Sequence, residues 1–131
     1  MAGELILIVE DNEKNRKLER DILQFHGYRT VEATTGEDGI RLAQADPPAL
    51  VLMDIQLPGM NGIEALRHLR ADARTRAIPV IAVTASAMTQ DRQKIMAAGF
   101  DGYQAKPIDV TQFVAAIRQM LARAPRGGAA S

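Results

Sequence analysis

The residues best equipped for chemistry are the acids Glu10, Asp11 and Asp54, the hydroxyl of Thr84 and the ammonium of Lys106. Each stands just after a run that reads as a strand. Residues 5–9 (LILIV) run into Glu10-Asp11, residues 50–53 (LVLM) into Asp54, residues 80–83 (VIAV) into Thr84, and the shorter 101–105 (DGYQA) into Lys106. Uninterrupted apolar runs of this length, bounded by turn residues, describe strands buried on both faces. Such strands occur in parallel α/β sheets, whose ligands bind beyond the carboxyl ends of the strands. If strands one and three are neighbours, about 4.8 Å apart, two or three carboxylates converge on one crevice. Two carboxylates about 5 Å apart repel by about 3 kcal/mol at an effective dielectric near 20. Either one takes up a proton or a cation sits between them. The donors are all oxygen, with no His or Cys nearby, which selects a hard cation such as Mg²⁺.

Charge sharpens the picture. Three carboxylates are balanced by one divalent cation together with Lys106, so a site holding both is neutral and an anionic phosphoryl donor can approach it. Asp54 is the central carboxylate and the best nucleophile. A cation and Lys106 would neutralise the oxygens of a transferring phosphoryl group, which is the main way such transfer is catalysed. Thr84 offers a hydroxyl, and small Ala85 leaves its backbone N–H accessible.

The elements that must position these residues follow in order. After Glu10-Asp11, Asn12 is a plausible cap for a helix to His26 with Leu18, Ile22 and Phe25 on one stripe, and Gly27 suits its end. Residues 28–32 read as a shorter, more polar strand. Thr34 or Thr35 can cap the second helix, whose apolar side is Ile40, Leu42 and Ala43 and which Pro47-Pro48 ends. Pro58-Gly59 and Asn61-Gly62 force a loop after Asp54. A third helix then shows Ile63, Leu66 and Leu69. The fourth, about 89–98, carries few apolar residues and stops at Gly99. Asp109 caps the last helix, with Ile108 and Phe113 at staple positions and a stripe of Phe113, Val114, Ile117, Met120 and Leu121. Strand and helix alternate five times, which is an α/β layer fold with a parallel sheet. Strands two and five are the polar ones and belong at the edges. The order 2-1-3-4-5, a flavodoxin-like arrangement with helices on both faces, is therefore expected; it is a known worked case of the rule that places ligands at the strand ends.

With 131 residues, 47% of them hydrophobic, one domain with one sizeable core is expected. Residues 1–124 fill it; the Gly/Ala-rich residues 125–131 have nothing to pack and read as a disordered tail. Sixteen basic residues balance sixteen acidic ones, so no bulk field favours nucleic acid or an anionic membrane. The absence of cysteine excludes disulfides and thiolate metal sites. No apolar stretch approaches a membrane span and no signal peptide opens the chain, so a cytoplasmic protein is expected.

Taken together, VEDN (9–12), LMDIQLPGMNG (52–62), VTA (83–85) and KP (106–107) resemble the response-regulator receiver domains of two-component signalling, over residues 5–123. The resemblance implies that Asp54 is the phosphoacceptor. It implies that Asp11, Asp54 and the backbone carbonyl of Gln56 ligate Mg²⁺, or Mn²⁺ in its place, with Glu10 acting through water. It gives Thr84 and Lys106 to the phosphoryl group, beside the Ala85 N–H, and makes Tyr103 the switch partner of Thr84. It implies a cis Lys106-Pro107 bond. It supplies a sensor histidine kinase or histidine phosphotransferase as donor, and a downstream protein target on the face of the fourth helix, fifth strand and fifth helix, including Met88 and Tyr103. Glu10 replaces the Asp more usual at that position, and its longer arm still reaches a metal-bound water. Gln56 and Ser86 stand where family members vary and bear on phosphoryl lifetime. The wording of the motifs is most similar to the single-domain, cell-cycle type; a receiver belonging to a larger hybrid kinase or regulator is the alternative.

Singly, each feature has an ordinary reading. Glu10 and Asp11 could be a solvated strand end, Thr84 a turn residue and Lys106 a surface lysine. Their occurrence at four strand ends of one fold is what carries weight. A flavodoxin-like electron carrier is disfavoured because Glu10-Asp11-Asn12 would repel a flavin phosphate and no Trp is present for stacking. A haloacid-dehalogenase-type phosphatase would carry a second Asp two residues after the nucleophile, where this chain has Gln56.

Overall fold

The computed structural model describes residues 3–85 and 89–123. Five strands, β1 (Leu5–Val9), β2 (Arg29–Ala33), β3 (Leu50–Asp54), β4 (Val80–Thr84) and β5 (Gly102–Ala105), alternate with five helices. These are α1 (Glu13–Phe25), α2 (Gly36–Ala45), α3 (Gly62–Ala71), α4 (Thr89–Ala98) and α5 (Val110–Ala122). The strands are parallel and lie in the order β2-β1-β3-β4-β5, the expected flavodoxin-like arrangement. The reason is visible in burial. Every residue of β3 and β4 is buried, as an all-apolar strand requires, whereas β2 and β5 are mostly half-buried and occupy the edges.

Period-two alternation sends the strand side chains into two layers. Leu7, Val9, Val51, Met53, Val80 and Ala82 meet α2, α3 and α4 through residues such as Leu66, Leu69 and Ile95. Ile6, Ile8, Leu50, Leu52, Ile81 and Val83 meet α1 and α5 through Leu23, Phe113 and Ile117. Burying an aliphatic or Phe side chain of this kind contributes about 1.5–3 kcal/mol before entropy is counted.

Side-chain caps start α1, α2, α3 and α5. Asn12 accepts from the Asn15 N–H, Asp109 from Gln112, and Asn61 forms a capping box with Glu64. Of the two candidates for α2, Thr35 is the cap, accepting from the Asp38 N–H at 3.1 Å. Gly62 opens α3 where a Cβ would lie 2.4 Å from the Asp54 carbonyl oxygen. Only glycine lets the loop close so tightly behind the end of β3.

One stripe is corrected. In α1, Leu18 is 40% and Phe25 85% exposed; the face turned to the sheet is Glu19, Ile22 and Leu23. The helix is rotated by about one residue from the phase that its apolar residues suggested, because Ile22 and Leu23 together fill the space over β1 and a carboxyl follows them in. In α5, Phe113, Val114, Ile117 and Met120 are buried as expected, with Leu121 half-buried. Residues Ser86 and Met88 and the tail 125–131 lie outside the described residues.

Candidate functional site

The acids arrive at the site on rigid supports. Asp54 is the last residue of β3, held between β1 and β4. Its Oδ1 accepts the backbone N–H of Gln56 at 3.0 Å. Glu10 follows β1, its backbone N–H bonded to the Ala33 carbonyl of β2, and its Oε2 accepts the Asn12 N–H at 3.1 Å. Glu10 is 1% and Asp54 3% exposed, while Asp11 is exposed. Glu10 is thus not a solvated strand end. One carboxylate oxygen from each of Glu10, Asp11 and Asp54 lies within 4.8 Å of the others.

Lys106 closes the group from β5. Its backbone N–H bonds the Thr84 carbonyl at 2.8 Å, which ties the end of β5 to the end of β4. Its Nζ lies 3.0 Å from Glu10 Oε1 and 3.3 Å from Asp54 Oδ2. The contact with Asp54 is a hydrogen bond. The contact with Glu10 is a close ion pair without hydrogen-bond alignment, so Glu10 Oε1 is buried with no hydrogen-bond partner. The Lys106-Pro107 peptide bond is cis. Thr84 is buried at the end of β4 and Ala85 is exposed beside it. Gln56 is exposed just past Asp54, and Tyr103 is half-buried on β5, opposite Ala82.

The electrostatics follow from this packing. Burial raises the Glu10 carboxyl above its ordinary value; Lys106 pulls it down, but the neighbouring Asp54 carboxylate works with burial. Burial alone would lower the Lys106 ammonium, and the Glu10 and Asp54 carboxylates outweigh it and raise it. One ammonium among three carboxylates leaves an excess of negative charge. A buried Glu10 oxygen that accepts no hydrogen bond, in an all-oxygen donor set, fits a hard divalent cation. A cavity of about 570 Å³ between Pro48, Pro79 and Met120 shares no residue with this cluster, so chemistry rather than concavity marks the site.

Two supporting residues escape sequence reasoning. Arg16 donates to the Glu10 carbonyl at 3.0 Å while its Nε bonds Glu32 of β2 at 3.1 Å; it clamps the turn that carries the acid pair. Glu19, on α1, is 1% exposed. Burial raises its carboxyl to about 8, with Glu10 and Asp54 adding to the rise against Lys106. The apolar pattern of α1 could have flagged Glu19, since it stands three residues before Ile22; the Arg16–Glu32 pair spans sixteen positions and left no local signal.

The sequence matches the description "Response regulator receiver domain" over residues 6–118. This chain belongs to the response regulator receiver domain family. It is 45% identical over 116 residues to the polar-differentiation response regulator DivK of Brucella ovis, covering 88% of this chain and 94% of that protein. The same figures hold for the DivK of Brucella anthropi. Among solved structures, the receiver domain of the sensor histidine kinase PA1611 from Pseudomonas aeruginosa superposes with a TM-score of 0.87 at 34% identity, over 93% of this chain and all of that one. That structure holds a magnesium ion coordinated in its active site cleft. Receiver domains are phosphoacceptor switches and interact with histidine kinases or phosphotransferases. No helix among the described residues is long and apolar enough to cross a membrane.

Proposed function

We propose that this receiver accepts a phosphoryl group on Asp54 from a phosphohistidine and loses it again by hydrolysis, both at the cluster of Glu10, Asp11, Asp54, Thr84 and Lys106. The observation that carries the reading is the Lys106 ammonium lying within 3.3 Å of the most central carboxylate of a three-acid cluster. An Asp54 carboxylate oxygen attacks phosphorus. The P–N bond to the donor imidazole breaks, the P–O bond forms, and the imidazole leaves with the electron pair. The Gln56 N–H on Oδ1 leaves Oδ2, on the Lys106 side, as the attacking oxygen. Lys106 stays with the transferred group and offsets its added charge, and the Thr84 hydroxyl and Ala85 N–H serve its remaining oxygens. Asp11, Asp54 and the Gln56 carbonyl, with Glu10 through water, would hold Mg²⁺ or Mn²⁺, which supplies positive charge to the phosphoryl oxygens.

The response belongs to the same reading. The Thr84 hydroxyl moves toward the phosphoryl oxygens, the Tyr103 ring follows it, and the face of α4, β5 and α5 changes for a protein target. Residues 1–124 act as the receiver and 125–131 as a tail, in a cytoplasmic setting that needs neither nucleic acid nor membrane. The test is acetyl phosphate with Mg²⁺, read by intact-mass spectrometry. One phosphoryl group should appear on the parent protein, none on Asp54→Asn and none in EDTA, with Lys106→Ala impaired. Labelling of Asp54→Asn to the parent level refutes the assignment.

A further inference from the structure

The fourth helix is held to the sheet in an unusual way. Of its side chains from Asp91 to Ala98, only Ile95 is buried, and Asp91 and Ala98 are half-buried. One turn before Ile95, where an apolar residue would complete the seat, stands Arg92. Its guanidinium lies 5.0 Å from the centroid of the Tyr103 ring. Arg92 is exposed, and among the described residues no carboxylate pairs with it. Tyr103 in turn packs its apolar body against the layer that contains Ile95 and Ala82. The ring is therefore held from two sides, by the core beneath and the guanidinium above.

We propose that Arg92 is a latch on Tyr103. The stacked pair fixes the ring, and with it the first half of α4, in the arrangement that accompanies an Asp54 carboxylate engaged by Lys106. This rests on the reading of Tyr103 as the switch residue and adds what sets its equilibrium. A cation over an aromatic face is attracted by the ring quadrupole, and an exposed pair of this kind shifts an equilibrium by about two- to fivefold. In this proposal the ring leaves the guanidinium as it follows Thr84, so the contact belongs to one state only. A contact with that asymmetry biases a two-state equilibrium, whereas one kept in both states would not. Arg92 touches neither the acids nor Lys106, so it acts on the response and not on the transfer.

Tyrosine fluorescence gives a direct readout, because the chain has two tyrosines and no tryptophan. In a Tyr28→Phe background Tyr103 is the sole fluorophore. Beryllofluoride with Mg²⁺ is titrated while acrylamide quenching of Tyr103 is followed, in the parent, in Arg92→Gln and in Arg92→Lys. Arg92→Gln, of similar reach but uncharged, should reach half-response at about two- to fivefold lower beryllofluoride, with Arg92→Lys between it and the parent. A curve for Arg92→Gln that superposes on the parent, or lies at higher concentration, overturns the latch while leaving the switch reading intact. If saturating beryllofluoride leaves Tyr103 quenching unchanged in the parent, the switch reading falls and the latch falls with it.

Discussion

Helices α4 and α5 flank the same edge strand and are bound to the sheet very differently. Helix α5 seats Phe113, Val114, Ile117 and Met120 in the core behind an Asp109 cap. Helix α4 seats Ile95, and Arg92 reaches over Tyr103 instead of adding a second apolar anchor. Yet Lys106 lies between them, tied to Thr84 through its backbone and to Asp54 through its ammonium. The proposed chemistry is thus mounted against a firm wall and the proposed response against a loose one. Elements with few buried contacts open at low free energy, so a modest change at the site can move α4 without disturbing the geometry that holds Asp54, Glu10 and Lys106.

The strongest way to break this comparison is to unseat the firm helix. Phe113→Ala should destabilise the whole domain by about 3–5 kcal/mol, read by urea unfolding, with amide protection lost in every strand. If the loss is confined to α5, the wall is not firm.

Helix α1 offers an intermediate case, seated by Ile22 and Leu23 but with a carboxyl in the seat. The Glu19 carboxyl is raised to about 8 from an ordinary 4.5, so the folded state holds its proton where the unfolded chain has released it. The cost is absent below about 4.5, grows as pH rises through the window to about 8, and is constant above it. Glu19→Leu should therefore stabilise the protein by a few kcal/mol at pH 8, less at pH 5, and flatten that part of the stability–pH curve. Parallel curves for variant and parent would mean that Glu19 carries no such shift.

Ile95→Ala sharpens the contrast from the loose side. Its loss should lie near 2 kcal/mol, the lower end for a buried Ile truncation. Faster amide exchange should be concentrated in α4 and β5. Exchange that rises equally in β1 and β3 would show α4 to be part of the global unit.

The smallest effect separates chemistry from response at one residue. Thr84→Ala should still take one phosphoryl group on Asp54, but change the exchange of α4 by about two- to tenfold less on beryllofluoride binding, the worth of one hydrogen bond. A full response in Thr84→Ala would remove the hydroxyl from the switch.

The sequence by itself determined the strand order and named the acids and the lysine that the structure brings together. A strand buried on both faces must be apolar throughout, so LILIV, LVLM and VIAV declared themselves central, and the polar residues that interrupt them at their carboxyl ends declared the crevice. Caps and turns are equally local: Asn12, Asn61 and Asp109 act within three or four positions, and Gly62 within the loop that it closes. Tertiary structure alone decided the phase of α1. Leu18, Ile22, Leu23 and Phe25 cover too wide an arc to choose one face, and the space over β1 chose Ile22 and Leu23, carrying Glu19 inward and leaving Phe25 in solvent. It also decided the pairs that join distant segments: Arg16 with Glu32, Arg70 with Asp101, Arg92 with Tyr103. Such pairs leave no periodicity behind, because a charged side chain on a surface helix looks the same in sequence whether it meets water, a carboxylate or a ring. What it meets is fixed only when the sheet's order and twist bring the partner to it.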